Sequence, residues 1–502
     1  MRIGIVGGGA SAVCVIDALA RSACRSGTVT VFEPSSQLWR GRAYQKDDEV
    51  ILVNSPAEDM SVRQSDTGHF ERWLENRHGP TGGPVPEFTS RAVFGEYLAQ
   101  TAYEGIARLL ERNWQVEVVR EGVTGAHRSG DQVSLHTDDG SRKPFDYVIL
   151  AVGGGKPKDS CGLSGTPNFI GEPYPLATTI TGIDPDDDVA VIGTGLTAVD
   201  AVVALESRGH RGRISMLSRL GVLPAVRQRP IAHELRHFVP HRIHDMAREH
   251  GGLDLNRLAE LLRRELAEVG SDLDEVWDEI TRVGQEPAAV RLRRQLSEVA
   301  SIRTGMRVMQ KAVHVSGPDL WPLLPEHVRK DMLGPYYRTL MSLCCPMPPR
   351  SAETLLRLMG SGQLQVLSGV QQVYPVAGGG FQVMTRDREL TAHHVVNGVS
   401  APAHRIPLGA RKLVDALCDE GLAVLHRDGG LCVRTSNSRL TGADDDGPKV
   451  YAIGDIAGGT FFFTFGIPSL VDRCHDIVTD IFAEDQHARA ARTDRKVPVA
   501  SS

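Results

Sequence analysis

One arrangement occurs twice in this chain, and no other feature limits the possible folds as strongly. In the first copy an apolar run, Arg2-Ile3-Gly4-Ile5-Val6, leads straight into Gly7-Gly8-Gly9-Ala10-Ser11-Ala12. Helical spacing follows from Ala12 to about Ala23, and a second apolar run, Val29 to Phe32, ends on Glu33. The order is strand, glycine turn, helix, strand, acid. Gly7 permits the tight turn, Gly9 removes a side chain where a pyrophosphate nears the backbone, and Ala12 is small where helix packs on strand. The helix start at Ala10 and Ser11 offers free N–H groups and a positive dipole end. Glu33, about 20 residues on, is placed to accept hydrogen bonds from ribose hydroxyls.

The second copy begins at Val189-Ala190-Val191-Ile192 and turns through Gly193-Thr194-Gly195-Leu196-Thr197-Ala198. A helix is expected over Val199 to Ser207 and a strand over Ile214 to Leu217. That strand ends on Ser218-Arg219 with no acid, a pair suited to a 2′-phosphate. The first copy is therefore expected to hold FAD and the second NADPH.

With 502 residues the chain has room for two to four domains. Its 41% hydrophobic and 24% charged content fits a globular protein, and a net charge of −6 marks neither a nucleic-acid nor a membrane binder. The N-terminus opens on a strand with no signal-peptide pattern, and no apolar run approaches the ~18 residues of a membrane span. Eight scattered cysteines point to reduced thiols and a cytoplasmic protein. No CxxC occurs, which disfavours a flavin disulfide reductase.

The expected fold is α/β, with two Rossmann-like dinucleotide-binding domains and a helical insertion. Residues 1–185 plus 400–484 make the FAD domain, and 186–227 plus 334–399 the NADPH domain. Residues 228–333 form the insertion, with helices at 258–269, 273–283 and 290–299, and 485–502 a disordered tail. In the first domain, helices are expected over 70–76 and 94–110, and strands over 116–123, 132–136 and 145–152. Val123, closing the first of these strands, joins the candidate cofactor contacts. Short strands follow at 364–366, 370–374 and 381–384, with an exit strand at 394–399. Lys449 to Ile453 forms a returning strand that ends in Gly454-Asp455, where a carboxylate can meet the ribityl chain of a flavin. The last helix, 467–482, then points its N-terminus at the isoalloxazine.

Other motifs carry less. His233-Glu234-Leu235-Arg236-His237 matches the HExxH zinc pattern on a helix, but Pro240 follows closely and the further ligand position is Ile243. No metal is expected. Cys344-Cys345 are adjacent and poorly placed for a disulfide. Phe461-Phe462-Phe463-Thr464-Phe465 serves as aromatic packing, or as a wall between flavin and water.

The chain resembles a bacterial family of FAD/NAD(P)-binding proteins. The segments that carry this are Gly7 to Ala12, Gly41-Arg42-Ala43-Tyr44, Leu52 to Ser61, Arg91 to Tyr97, Gly193 to Ala198 and Leu217 to Pro224. The family includes flavin-dependent N-monooxygenases similar to nitrosuccinate synthases and, more distantly, to ornithine and lysine N-hydroxylases. The chain departs from that pattern in two places. Tyr337-Arg338 is followed by Thr339 to Pro346 instead of a His/Arg-rich stretch, and Gly454-Asp455 stands where many members have Gly-Pro. The resemblance implies that Tyr44, Asn54, Met60 and Ser61 lie near the flavin. It implies a monooxygenase that N-hydroxylates, or further oxidises, a small-molecule amine or amino acid with O2 through a flavin C4a-hydroperoxide. The flavin carries the chemistry, so no catalytic residue declares itself. A flavin reductase or oxidase without oxygen insertion, and a non-enzymatic flavin-binding redox protein, share the same motifs. A homo-oligomer is compatible with all of these.

Overall fold

The computed structural model describes residues 1–22, 26–79, 85–399, 405–442, 447–464 and 466–494, with 488–494 as backbone alone. Cys24, Phe465 and the end of the expected tail, 495–502, lie outside these.

The N-terminal stretch forms β1 (Arg2–Val6), β2 (Thr28–Phe32), β3 (Gln115–Val119), β4 (Val123–Ser129), β5 (Gln132–Thr137), β6 (Arg142–Phe145) and β7 (Tyr147–Leu150). β7, β1, β2 and β3 lie side by side and parallel. Ile3, Ile5, Val29, Val31 and Ile149 face one way, into a core made with helices Ala10–Arg21 and Arg91–Glu111. Val6, Phe32, Val148 and Leu150 face the other way, onto the antiparallel β4–β5–β6 layer and helix Arg411–Asp419. Both faces are covered at the centre of the sheet, so β1, β2 and β7 are buried almost throughout, whereas β3 at the edge is partly exposed and alternates polar with apolar residues.

The strand expected over 116–123 is two strands. β3 ends at Val119, and Val123 opens β4 in a different sheet. The apolar spacing carried across the break at Arg120-Glu121-Gly122, where Gly122 packs on the Asp138 carboxylate.

The second unit repeats the plan. Its strands are β8 (Phe169–Ile170), β9 (Val189–Ile192), β10 (Ile214–Leu217), β11 (Leu364–Leu367), β12 (Val370–Pro375), β13 (Phe381–Thr385), β14 (Glu389–Ala392) and β15 (His394–Asn397). The parallel order is β11-β10-β9-β15-β8, and β12-β13-β14 form an antiparallel layer. Helices Leu196–Ser207 and Pro349–Gly360 cover one face, and Val373, Phe381 and Val383 of the antiparallel layer cover the other. β14 was not among the expected strands. It is the outer partner of β13, and its polar, exposed pattern gives little apolar signal.

β16 (Lys449–Ala452) returns to the first sheet beside β7. The last helix runs from Ile467 to Asp494, so the stretch 485–494, expected as tail, is helical. Both helices after the glycine turns start earlier than their apolar spacing, at Ala10 and Leu196, because the last turn residues already form the first helical turn.

The insertion contains six helices where three were expected. Those at 258–269, 273–283 and 290–299 appear as Leu255–Ala267, Leu273–Arg282 and Ala288–Ser297. Pro240–Glu249, Gly305–Leu320 and Glu326–Leu333 are additional. Gly305–Leu320 is the central one, with Val308 and Ala312 packed among Phe238, Ile243, Leu262 and Leu266. Beyond its end the Trp321 Nε1–H donates to the Gly459 carbonyl at 3.2 Å, and its ring stacks on Phe462 at 4.4 Å. The aromatic segment thus docks the insertion onto the first unit, while Phe461 joins the first unit's core.

His233 to His237 is not helical. The buried Glu265 carboxylate accepts the backbone N–H groups of Arg236, His237 and Phe238 at 3.0, 2.6 and 2.8 Å, and pairs with His233 Nε2 at 2.8 Å. His237 turns to Glu268 instead. The two histidines therefore share no helix face and serve different carboxylates.

Candidate functional site

The two glycine turns have matching geometry. Gly7 has φ +105°, and a Cβ there would stand 2.2 Å from the Ala151 carbonyl oxygen. Gly193 has φ +116°, and its Cβ would stand 2.7 Å from the Gly398 carbonyl oxygen. Only glycine fits either place. The second glycine of each turn is different. A Cβ on Gly9 would meet nothing closer than the Gly41 Cα at 3.6 Å, and one on Gly195 nothing closer than the Arg338 Nη1 at 4.0 Å. Protein packing does not demand glycine at these two positions, but a ligand lying on the backbone would.

Each turn opens a helix whose first intrahelical bonds are Val13 N–H to Gly9 and Val199 N–H to Gly195. The N–H groups of Ala10, Ser11 and Ala12, and of Leu196, Thr197 and Ala198, precede them and have no acceptor among the described residues. Neither helix has a side-chain cap. Free donors at an uncapped N-terminus, beneath open space, fit a pyrophosphate.

Glu33 sits at the mouth of the first turn, its Oε2 accepting the Gly8 N–H at 2.8 Å and its Oε1 the Ser35 N–H at 2.9 Å. Its remaining lone pairs suit ribose hydroxyls. β16 brings Gly454 to the same place: a Cβ there would lie 3.8 Å from Ser11 Oγ. Asp455 is half-buried, desolvation raises its carboxyl pKa, and it accepts from Thr464 Oγ1 at 3.4 Å. Thus Gly7 to Ala12, Glu33 and the Gly454-Asp455 turn converge although more than four hundred positions separate their ends.

The loop candidates divide. The Tyr44 ring packs edge-on to Phe94 at 4.7 Å, and its backbone is pressed against Gly95. The Asn54 carbonyl accepts Arg227 Nε at 3.1 Å. Met60 is buried in the first core. Ser61 Oγ donates to the Asp66 carbonyl at 2.7 Å and accepts the Arg63 N–H at 3.1 Å, so its hydroxyl shapes the loop. Val123 is buried in the core that helix Arg411–Asp419 shares with the antiparallel layer, and it pairs with Thr137 of β5.

At the second turn Ser218 Oγ accepts the Gly221 N–H at 2.8 Å and lies 3.2 Å from Thr194 Oγ1. Its hydroxyl thereby fixes the loop after β10, while Arg219 stands exposed beside it. Arg338 was only a landmark in the sequence. Its Nη2 donates to the Val222 carbonyl at 2.9 Å and to Thr194 Oγ1 at 3.3 Å, placing a second guanidinium over the turn. Burial lowers its pKa, yet a guanidinium stays protonated. No spacing signal could have found it, because its partners lie 144 and 116 positions away.

Cys344 and Cys345 are free, and burial pushes both thiols up, Cys345 to about 12. Such thiols are poor nucleophiles for disulfide exchange.

Residues 4–155 match the family model described as FAD-NAD(P)-binding. The N-terminal unit is an FAD-NAD(P)-binding unit. No curated protein matches the sequence. Among solved structures, the chain is similar to the ornithine N-hydroxylase of Kutzneria sp. 744 with FADred, NADP+ and L-orn, at 13% identity and TM-score 0.56 over 96% of this chain and 99% of that one. It is similar to the L-lysine 6-monooxygenase of Pseudomonas syringae at 13% identity and TM-score 0.59, with the same coverage of 96% and 99%. The FAD-bound cadaverine monooxygenase of Erwinia amylovora gives 12% identity and TM-score 0.59 over 96% and 94%. These likenesses establish a shared fold of two Rossmann-like units. Among the described residues, no helix is long and apolar enough to cross a membrane.

Proposed function

We propose that the chain is an FAD-dependent, NADPH-using monooxygenase that oxygenates the amine of an amino acid or a related small molecule. The observation that carries this reading is the duplicated glycine turn, each with an open, uncapped helix start, one ending in Glu33 and the other in Ser218-Arg219 with Arg338 above it. The fold shared with amine hydroxylases supports the choice of chemistry.

FAD, when bound, supplies hydride acceptance from NADPH and activation of oxygen. The chain does the rest. The N–H groups of Ala10 to Ala12 bind a pyrophosphate, Glu33 holds the adjoining ribose, and the Gly454-Asp455 turn closes over the same site. Arg219 and Arg338 give the second turn two guanidiniums for a 2′-phosphate, which favours NADPH over NADH. The stacked Trp321 and Phe462 exclude water where the insertion meets the first unit.

Anaerobic reduction of the FAD-loaded protein by NADPH or NADH, followed by oxygen and a panel of amines, tests this. Faster reduction by NADPH and a hydroxylated or further oxidised amine are expected. Stoichiometric free peroxide with every candidate would instead leave a reductase or oxidase.

A further inference from the structure

Arg291 is a buried guanidinium with incomplete hydrogen bonding. It sits on helix Ala288–Ser297 at 4% exposure, and the next residue, Leu292, lies in the second unit's core and not in that of the insertion. Its Nε has only Glu279 Oε1 nearby, at 3.7 Å, and its Nη2 has no hydrogen-bond partner among the described residues. Burying such donors without acceptors opposes folding. The reach of the third nitrogen accounts for the placement. Nη1 donates to the Leu223 carbonyl and to Ser342 Oγ, each at 3.1 Å.

Leu223 lies on the loop after β10, 68 positions from Arg291. Ser342 completes a short relay there. Its hydroxyl accepts from Arg291 and gives its own proton to the Leu223 carbonyl, at 2.7 Å. Ser342 shares helix Tyr337–Cys344 with Arg338, which stands one turn earlier. Arg338 Nη2 donates to the Val222 carbonyl at 2.9 Å, so one helix grips two successive carbonyls of the loop. The beginning of the loop is secured separately: the Gly369 and Val370 N–H groups donate to the Arg219 and Ser218 carbonyls at 3.0 and 3.3 Å. Its end is tied to the insertion helix by Val226 N–H donating to Gln295 Oε1 at 3.1 Å. Behind Leu220 to Leu223 is a cavity of about 50 Å³, lined from the other side by Gly284, Ala288, Arg291 and Leu292. The middle of the loop therefore has room to fall back toward the insertion. Among the anchors, the one at Leu223 is next to the carbonyl on which Arg338 rests.

We propose that Arg291 is a positioning residue for coenzyme selection: it holds Leu223, and so the neighbouring Val222 carbonyl, where the Arg338 guanidinium is aimed at a 2′-phosphate. It does this without touching the coenzyme, and it gives the insertion a part in the second site. The proposal rests on the NADPH reading of the second turn. Without the anchor, Val222 moves into the cavity and Arg338 follows it, while Arg219, held by Gly369, keeps its place. The helix start at Leu196, which takes the pyrophosphate common to NADP+ and NAD+, is unaffected. Arg291 therefore bears on the choice between the two coenzymes and not on dinucleotide binding as such.

Calorimetric titration of the oxidised, FAD-loaded protein with NADP+ and with NAD+ gives the preference as a ratio of affinities. Arg338→Met lowers that ratio. Arg291→Met keeps the bulk and removes the donors, and it lowers the ratio about tenfold, the scale of one lost charge-assisted hydrogen bond. Glu279 retains its closer partner, Arg294 at 2.7 Å, in that variant. NAD+ affinity stays at the parent's value. In the double variant the ratio falls no further than with Arg338→Met alone, because one change acts through the other. Arg291→Lys, which keeps the charge and a donor, recovers part of the ratio. If Arg291→Met does not retain FAD, Ser342→Ala breaks the same relay, leaves the insertion's ion pairs in place and gives the same pattern at smaller size. A ratio at the parent's value while Arg338→Met lowers it, equal weakening of both coenzymes, or full additivity in the double variant each overturns the proposal. A ratio that survives Arg338→Met sinks the coenzyme reading of the second turn, and the role of Arg291 falls with it.

Discussion

Gly9 and Gly95 are both glycines at close backbone approaches, yet they answer to different partners. A Cβ on Gly95 would stand 1.9 Å from the Tyr44 carbonyl oxygen, so helix Arg91–Glu111 and the Tyr44 loop cannot keep their contact if it is replaced. Gly95→Ala is expected to cost about 3 kcal/mol or more, as overpacking against backbone does, and to lower the thermal midpoint of the FAD-free protein. Gly9→Ala meets nothing nearer than 3.6 Å. Stability of the FAD-free protein should change by less than about 0.5 kcal/mol, while FAD affinity falls at least tenfold. Calorimetry of the FAD-free protein and flavin titration separate the two effects. A Gly9→Ala protein that loses stability and still binds FAD normally would show that the glycine serves packing. Gly7, Gly9 and Glu33 could be picked out as candidates because the glycine spacing and the acid that ends β2 belong to one contiguous strand–turn–helix–strand pattern. Arg291 and Arg338 could not, because Arg291 meets Leu223 across 68 positions and Arg338 meets Thr194 across 144. Ser218 was visible, but its hydroxyl bond to the Gly221 N–H was not.

At the level of elements, the central parallel strands announced themselves because both of their faces are buried. The insertion was harder to see, since its helices are amphipathic, short and interrupted. Pro318 lies inside Gly305–Leu320, and Glu326–Leu333 buries no residue, so neither gives a clean apolar period. HExxH gave a helical expectation where the chain is irregular, because the ordering group, Glu265, lies on another helix. Burial raises the Glu265 pKa, but hydrogen bonds from Phe238, His237, His233 and Arg236 outweigh it and hold the carboxyl below its ordinary value. A depressed folded-state value means the stabilisation is present above the unfolded carboxyl pKa, about 4.3, and is lost as pH falls through the folded value. Hydrogen exchange across 228–333 should therefore show the insertion loosening below about pH 4. Glu265→Gln keeps the shape but removes the ionised acceptor. It should lower protection of this region at neutral pH and flatten its acid dependence. A variant as protected as the parent at pH 7 would deny the carboxylate this role.

The whole molecule is two copies of one plan, each a parallel sheet with helices on one face and a three-stranded antiparallel layer on the other. That duplication was legible from the two glycine turns; the join between the copies was not. Arg91, at the start of a first-unit helix, pairs with Asp200 on the helix after the second turn at 2.8 Å. Arg91 also donates to the Tyr174 hydroxyl at 3.0 Å, and Tyr174 in turn donates to Asp200. Both charged side chains are largely buried, at 13% and 9% exposure. Burial raises the Asp200 pKa, and the Arg91 guanidinium and the Tyr174 hydroxyl oppose that rise. Removing one member leaves an uncompensated charge inside the protein, at a cost of about 3–5 kcal/mol. Replacing both with apolar groups of similar size removes that penalty as well as the attraction. Asp200→Asn is therefore expected to unfold at markedly lower urea concentration than the parent. Arg91→Met with Asp200→Leu should recover most of the loss, and the two single changes should be strongly non-additive. Equal denaturation midpoints for Asp200→Asn and the parent would mean that the units are held together elsewhere, at Arg42–Glu172 or at the Trp321 contact with Gly459.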